Sequence, residues 1–251
     1  MNLTDTVAVI TGGGTGIGRA TALALAAAGA GGVVVTYSKS AAEAESVAAE
    51  LPCRALAVRS DVSDDAQVRA LSSLVHSEFG RVDVLVNNAA TTYRVPHEDL
   101  DGLTDEAFGR VLDVNVLGPF RMARAFAPAL RESRGAVVNI ASIAGFRAGG
   151  SSIAYGVSKA ALMQLTRNLA VALAPEVRVN AVAPGTVATR WQTDLHGEEG
   201  FQRRAAAERE SVPLKQTAAP EHVAQAVLGL LAMDLVTGET VILDGGKHVV
   251  Y

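Results

Sequence analysis

The chain has 251 residues and a formal net charge of −4 at pH 7, without a basic block, so binding along a nucleic-acid backbone is not expected. Cys53 is the single cysteine, which excludes a disulfide framework and a thiolate metal cluster and favours a reducing, cytoplasmic compartment. The longest apolar stretch, 22–35, is interrupted by Gly29, Gly31 and Gly32 and is too short to span a membrane.

Short runs rich in Val and Ile alternate with Ala- and Leu-rich stretches along the whole chain. We predict strands over 6–11, 33–37, 54–60, 82–87, 135–142, 177–184 and 239–246, and helices over 17–29, 41–50, 63–79, 104–131, 152–174 and 220–232. Nearly continuous apolar strands indicate burial on both faces, and crossover helices of this length make neighbouring strands parallel. The predicted fold class is α/β, a doubly wound, Rossmann-like sheet of seven parallel strands with helices on both faces.

Nothing in the sequence marks a domain boundary, since it contains no internal repeat and no Pro-rich linker. We therefore expect residues 1–251 to form one Rossmann-like domain. The polar stretch 186–219 follows a predicted strand, and it either covers the substrate or forms a mobile surface loop.

A glycine-rich segment joins the first predicted strand to the first predicted helix. Thr11–Gly18, TGGGTGIG, places glycines where a turn is tight and where the backbone must approach a pyrophosphate at a helix N-terminus. This pattern predicts a dinucleotide site that uses Gly12, Gly14, Thr15, Gly16, Ile17 and Gly18. Ligands of open α/β sheets lie beyond the carboxyl ends of the strands, so 36–40, 61–62, 87–90 and 184–189 are expected around the same cofactor.

Tyr155 and Lys159 form a candidate acid–base pair. They are four residues apart at the start of a predicted helix, so their side chains are neighbours on one face. An ammonium beside a phenol favours the phenolate, and we expect the pKa of Tyr155 to fall below its unperturbed value of about 10. Ser142 ends a predicted strand, where a ligand-facing hydroxyl belongs, although a turn or helix-capping role would also explain it.

The motifs carry a family resemblance through their order and spacing. They are TGGGTGIG at 11–18, NNAA at 87–90, Asn115, Ser142, Tyr155-x-x-x-Lys159 and VRVNAVAPGTVATR at 177–190. Over essentially its whole length the chain resembles the single-domain short-chain dehydrogenases/reductases, including 3-oxoacyl-acyl-carrier-protein reductases and pteridine reductases. The resemblance implies a homotetramer or dimer built through the helices at 104–131 and 152–174 and the C-terminal segment, although burial in the monomer would equally explain the Ala-rich faces of the two helices.

The resemblance also implies residue roles. Tyr155 would donate a proton to a carbonyl oxygen, or accept it in the reverse direction, and Ser142 would hydrogen-bond that oxygen. Lys159 would bond the nicotinamide ribose, and Asn115 would hold a water in a proton relay. Asp61 would contact the adenine and Thr189 the nicotinamide carboxamide. Further cofactor contacts would come from Val62, Asn88, Ala89, Ala90, Pro184, Gly185 and Val187, with Ala90 standing where the family usually has glycine.

The end of the second predicted strand carries no acid. Family members that use NAD commonly place Asp there to accept hydrogen bonds from the ribose 2′-hydroxyl, and that acid would repel a 2′-phosphate. Here Tyr37, Ser38, Lys39 and Ser40 offer hydroxyls and one ammonium, which suit a phosphate dianion. This favours NADP, as NADPH. Thr15 lacks the basic side chain that many NADP-using members carry at its position, so NAD stays open.

These features predict NADPH-dependent reduction of a small-molecule carbonyl to an alcohol, with 3-oxoacyl reductase as the favoured subclass. The alternatives are an NAD-dependent alcohol dehydrogenase working in the oxidative direction and a non-enzymatic dinucleotide-binding sensor. The histidines show no metal-ligand spacing, so no metal is expected. The substrate-pocket candidates, all predicted on loops and each more readily explained as a surface residue, are Tyr93, Arg94, Phe146, Arg147, Trp191, Gln192 and His196.

Overall fold

The computed structural model describes residues 1–250, so Tyr251, the last residue of the predicted domain, lies outside the described residues. Seven strands form one parallel sheet in the order β3-β2-β1-β4-β5-β6-β7. They are β1 Val7–Ile10, β2 Gly32–Tyr37, β3 Arg54–Arg59, β4 Val84–Asn87, β5 Ala136–Ile140, β6 Arg178–Pro184 and β7 Thr240–Leu243. The predicted α/β class is therefore confirmed.

Helices connect the strands and cover both faces of the sheet. They are α1 Gly16–Ala27, α2 Ala41–Glu50, α3 Asp65–Phe79, α4 Asp105–Leu112, α5 Gly118–Ser133, α6 Ile153–Leu173, α7 Arg190–His196, α8 Glu198–Ser211 and α9 Pro220–Ala232. Among the described residues, no helix combines the length and apolarity that crossing a membrane would need.

Alternating strand residues divide the core into two layers. Ile10 and Val35 face one side and pack with Leu25 of α1, whereas Val9 and Val34 face the other side. The second layer is closed by side chains from α3, α5 and α6, including the fully buried Phe126. Because both faces are covered, continuous apolar strands are the stable solution for this sheet.

The strand order reverses at β1, which is paired with β2 on one side and with β4 on the other. At such a switch point the connections leave in opposite directions and open a crevice beyond the carboxyl ends of the strands. The topology therefore fixes the place of a ligand cleft before any side chain is considered.

Two predicted segments differ from the structure. The predicted helix 104–131 is divided, because a π-helical turn, Asp113–Leu117, separates α4 from α5. Gly118 follows this turn in close contact with Val62, where a Cβ would lie 2.7 Å from Val62 Cγ2. The polar stretch 186–219 is mostly helical, as α7 and α8 on either side of Gly197, so the alternative of a surface loop is wrong for these two helices, and the substrate-covering role stays a prediction.

Candidate active site

A cleft of about 660 Å³ lies beyond the carboxyl ends of the strands. It is lined by nearly all of the predicted site residues, which are Gly12, Gly14, Thr15, Gly16, Ile17, Tyr37, Ser38, Lys39, Ser40, Asp61, Val62, Asn88, Ala89, Ala90, Ser142, Tyr155, Lys159, Pro184, Gly185, Val187 and Thr189. The predicted residues that do not line it are Gly18 and Asn115, together with Asn87, Thr186 and Ala188 of the predicted ranges 87–90 and 184–189. The topology thus brings residues from both halves of the sequence to one cavity.

Some glycines of the loop have no room for a side chain. A Cβ on Gly18 would lie 2.3 Å from the Gly12 carbonyl oxygen, and one on Gly14 would lie 2.9 Å from Ala44 N. Gly12 and Gly16 have φ values of 63° and 50°, which favour glycine. The loop therefore exposes backbone at the N-terminus of α1, an arrangement that binds phosphate through unpaired N–H groups.

Thr11 and Asn88 connect this loop to the end of β4. The Thr11 hydroxyl accepts hydrogen bonds from the backbone N–H groups of Asn88 and Ala89, both at 2.9 Å. Asn88 Nδ2 donates to the carbonyl oxygens of Thr11 at 2.9 Å and Gly12 at 3.1 Å. These contacts give Asn88 a structural role in the glycine loop, which the sequence did not identify.

Tyr155 lies in the first turn of α6, and its backbone N–H donates to Ser152 Oγ, which caps the helix. Ser142 follows β5, and its hydroxyl accepts a hydrogen bond from Ala144 N at 3.1 Å, so it does cap a short 3₁₀ turn. Ser142 and Tyr155 line the same cleft, and the proximity of the Ser142 hydroxyl acts to lower the pKa of the Tyr155 phenol. The two hydroxyls therefore converge on one region of the cleft.

The expected fall in the pKa of Tyr155 is wrong for this structure. Burial raises that pKa to about 12, against the opposing effect of the Ser142 hydroxyl. Lys159 Nζ lies 5.6 Å from the Tyr155 ring centroid and donates to the Ile140 carbonyl oxygen at 2.8 Å. Burial also lowers the pKa of Lys159 to about 8. Desolvation outweighs charge attraction here because the ammonium is directed to a backbone carbonyl.

Asn115 is buried in the π-helical turn behind the cleft wall. Its Oδ1 accepts from Thr91 N at 2.8 Å, and its Nδ2 donates to Thr91 O and to Ser158 Oγ, both at 3.0 Å. Ser158 Oγ in turn donates to the Tyr155 carbonyl at 2.7 Å. The side chain of Asn115 thus joins the segment after β4 to the helix that carries Tyr155.

The opposite end of the cleft combines free polar groups with one anchored acid. In the described chain, the side chains of Ser38, Lys39 and Ser40 make no hydrogen bond, although Ser40 precedes α2. Burial opposes ionisation of Asp61, but hydrogen bonds from Ser63 and Arg110 hold its pKa below the usual range. Hydroxyls and an ammonium are therefore available to a ligand at this end.

Comparisons with known proteins agree with this geometry. Residues 12–248 match a family model described as enoyl-(acyl carrier protein) reductase. A protein from Streptomyces violaceoruber, named as ketoacyl reductase 2 of the granaticin polyketide synthase, is 44% identical over 208 residues, covering 82% of each chain. The solved structure of a short-chain dehydrogenase/reductase from Burkholderia xenovorans has a TM-score of 0.89 at 37% identity and covers 97% of this chain and 98% of that one. The chain belongs to the short-chain dehydrogenase/reductase family.

Membership makes this protein an NAD(P)-dependent oxidoreductase that acts on alcohol or carbonyl groups of small molecules. Another relative in the family, galactitol 2-dehydrogenase from Agrobacterium fabrum, is 37% identical over 217 residues, which are 82% of this chain and 84% of the relative. The glycine cradle fits a dinucleotide, because the backbone groups that it exposes are those that a pyrophosphate requires. In the part of the chain that the structure describes, no group of three or more His, Cys, Asp or Glu side chains could hold a metal.

The substrate-pocket candidates of this short-chain dehydrogenase/reductase separate into two groups. Tyr93, Trp191 and Gln192 line the cleft, and the Trp191 ring centroid is 6.2 Å from that of Tyr155. Trp191, Gln192 and His196 lie on α7, so their predicted placement on a loop is wrong. Arg147 lines a second cavity of about 360 Å³ instead. Arg94, Phe146 and His196 do not line either of these cavities.

The sequence analysis did not identify eight further residues that line the cleft of this short-chain dehydrogenase/reductase, namely Ser60, Thr91, Arg110, Val114, Ile140, Ala141, Arg190 and Asp194. Ser60 and Ile140 adjoin or end a strand, so strand position was an available signal for them. Arg110 comes from α4 and donates to Ser63 Oγ at 2.6 Å and to Asp61 Oδ2 at 3.2 Å. No local pattern indicates such a contact between distant segments.

Proposed function

We propose that this protein is an NADPH-dependent carbonyl reductase in which Tyr155 delivers the proton. The observation that carries the proposal is the convergence of the Tyr155 and Ser142 hydroxyls in the cleft that contains the glycine loop. Two neighbouring hydroxyl donors suit a carbonyl oxygen on which negative charge develops during reduction. The bound nicotinamide supplies the hydride in this chemistry.

The protonation state of Tyr155 suits a proton donor. Since the pKa of its phenol is about 12, the group is protonated near neutral pH, which is the form that carbonyl reduction uses. Oxidation of an alcohol would require the same group to lose its proton first. The protonated form is therefore compatible with the role proposed for Tyr155.

Lys159 and Asn115 have different tasks in this proposal. Lys159 supplies an ammonium to the cofactor ribose and places positive charge near the developing alkoxide. Asn115 positions α6, because both of its amide hydrogens are already donated to protein atoms. A proton relay through the side chain of Asn115 would depend on the second lone pair of its Oδ1 alone.

The preference for NADPH rests on Ser38, Lys39 and Ser40. Their side chains lie at one end of the cleft without partners in the described chain, and no acid from β2 stands among them. A 2′-phosphate can accept hydrogen bonds from these hydroxyls and from the ammonium. Thr189 and Asp61, at other parts of the cleft wall, would contact the carboxamide and the adenine.

We also propose a 3-oxoacyl substrate, because the relative from Streptomyces violaceoruber is named as a ketoacyl reductase. Residues 186–219 would cover this substrate, since Trp191 and Gln192 of α7 line the cleft. The assembly would be a homo-oligomer formed through α4 to α6, whose exposed apolar side chains include Leu117, Phe120, Val157 and Val171.

The test begins with equilibrium binding of NADPH and NADH, followed by NADPH oxidation with ketones, 3-oxoacyl thioesters and quinones. We expect tighter binding of NADPH and turnover of the 3-oxoacyl thioesters. The Tyr155→Phe variant should keep NADPH affinity and lose at least about 100-fold in turnover, because only the proton donor is removed. Full turnover in Tyr155→Phe would contradict the mechanism, and tight binding without turnover of any carbonyl would favour a sensor.

The cofactor preference has its own test. Lys39→Ala should weaken NADPH binding about ten-fold and leave NADH binding nearly unchanged, because a charge-assisted contact with the 2′-phosphate is lost. Equal effects on both cofactors would assign Lys39 to another part of the dinucleotide.

A further inference from the structure

An ion pair joins α7, on the wall of the cleft, to α2, the helix that follows Ser38, Lys39 and Ser40. Arg190 Nη1 donates to Glu43 Oε1 at 2.7 Å, although the two residues are 147 positions apart in the sequence. Arg190 begins α7 and lines the cleft, whereas Glu43 lies in the first turn of α2. The pair therefore connects the proposed substrate cover to the proposed phosphate site.

Contacts on the glycine loop show how close these segments are to it. A Cβ on Gly14 would meet the backbone of Ala44, the residue after Glu43, at 2.9 Å. A Cβ on Gly16 would meet Cγ2 of Thr189, the residue before Arg190, at 3.2 Å. The loop is thus held between the two segments that the ion pair connects.

Glu43 also fixes the position of Arg190 relative to the unpartnered hydroxyls. It follows Ser40 by three positions at the start of α2, so their side chains are separated by about one helical turn. Only Nη1 of the guanidinium is engaged with a side chain in the described chain, so other donors of the planar fork are available. A guanidinium matches phosphate geometry better than an ammonium does.

We propose that Arg190 is a second phosphate-binding cation of this site, which leaves the Glu43 carboxylate for the 2′-phosphate when NADPH binds. Lys39 and Arg190, which both line the cleft, would then both contact the phosphate. This inference rests on the proposed function, because only NADPH carries a 2′-phosphate.

The electrostatics explain why an arginine is needed at this place. Glu43 is an anion near the phosphate site, and its hydrogen bond with Arg190 lowers the pKa of Glu43 and raises that of Arg190. A carboxylate without this partner would repel a phosphate dianion. Both side chains are about half exposed, so the pair is weak enough to exchange for a doubly charged ligand.

Binding measured by calorimetry tests the assignment without relying on turnover. Unlike a fluorescence titration, it does not depend on the emission of the neighbouring Trp191. The ligands are NADPH, NADH and the fragments 2′,5′-ADP and 5′-AMP. Arg190→Gln should lower the affinity for NADPH and for 2′,5′-ADP about ten-fold, while the affinities for NADH and 5′-AMP should change less than about two-fold. Glu43→Gln should tighten NADPH up to about five-fold, because it removes the competing carboxylate.

Matched controls come from the exposed Arg203 and Glu199 of α8, which form an i,i+4 ion pair with side-chain exposures of 76% and 92%. Arg203→Gln and Glu199→Gln make the same charge changes and should leave all four affinities unchanged. Arg190→Lys should recover part of the NADPH affinity, because it restores the charge without the fork.

The signs of the effects distinguish the outcomes. If Arg190→Gln and Glu43→Gln both lower the affinities for NADPH and NADH equally, the ion pair only holds α7 against α2. The assignment of Arg190 to the 2′-phosphate is then wrong. Unchanged affinities in both variants would make Glu43 and Arg190 an ordinary surface ion pair and also overturn the assignment. If the unaltered protein binds NADH as tightly as NADPH, the proposed cofactor fails, whatever the Arg190 variants show.

Discussion

Lys159 offers a direct test of the electrostatics of the site. Its side chain is buried at 3% exposure, with Nζ bonded to the Ile140 carbonyl oxygen at 2.8 Å. Burial lowers its pKa to about 8 from the ordinary value of 10.5. The perturbation is Lys159→Met, which keeps a long side chain and removes the charge.

The sign and the magnitude follow from these two pKa values. Between pH 8 and 10.5 the unfolded chain binds more protons at this lysine than the folded protein, so the free energy of unfolding rises with pH. At about 1.4 kcal/mol for each pKa unit, the full shift of the Lys159 pKa corresponds to a change of roughly 3 kcal/mol in the free energy of unfolding. Roughly 2 kcal/mol of it should appear between about pH 7.5 and pH 10.

The assay is urea-induced unfolding of the unaltered protein and of Lys159→Met at these two pH values. The unaltered protein should gain roughly 2 kcal/mol relative to the variant when the pH rises, because only it can release the buried charge. Lys39→Met, which removes an exposed ammonium, serves as the control and should follow the unaltered protein. A stability difference that does not change with pH would refute a desolvated ammonium at Lys159.

Three further outcomes follow from the same structure. The reductive kcat/KM should fall above about pH 8, as Lys159 loses its charge, and a flat pH profile to pH 10 would contradict this. Gly18→Ala should abolish dinucleotide binding measured by calorimetry, because the added Cβ would lie 2.3 Å from the Gly12 carbonyl oxygen. Gly109→Ala in α4 serves as the control, because its Cβ would meet open space and the substitution should stabilise the fold by about 1 kcal/mol. Glu208 and Lys247 form a buried ion pair that joins α8 to the segment after β7. Glu208→Leu and Lys247→Leu should each lower the free energy of unfolding in urea by about 3 kcal/mol, and the double variant should lose less than the sum of the two. Additive losses would argue against coupling between the two side chains.

The fold and the place of the cleft were predictable because their signals are local. Apolar strands, crossover lengths and the glycines of 11–18 each report on neighbouring residues, and parallel topology brings the strand ends together. This is why residues as distant as Ser38 and Thr189 were correctly expected in one cavity.

The missed features depend on contacts between distant segments. Neither Arg190 with Glu43 nor Arg110 with Asp61 has a signature in the intervening sequence. The pKa of Tyr155 was predicted in the wrong direction because spacing places Lys159 beside it but says nothing of burial or of the Ile140 carbonyl oxygen. The helical form of 190–196 and 198–211 was missed because a polar, charged stretch carries little apolar periodicity.

The interruption of the predicted helix 104–131 and the position of the proposed proton donor have a common cause. The π-helical turn places Asn115 where its amide can bond both Thr91 and Ser158, and Ser158 bonds the Tyr155 carbonyl. A buried amide is stable only when its hydrogen-bonding groups are satisfied, so these partners fix the distance between the segment after β4 and α6. Because Lys159 joins the same helix to β5, the Tyr155 phenol is positioned by polar contacts with two neighbouring strands of the sheet. The departure from α-helical geometry over 113–117 thus coincides with the residue that makes these contacts.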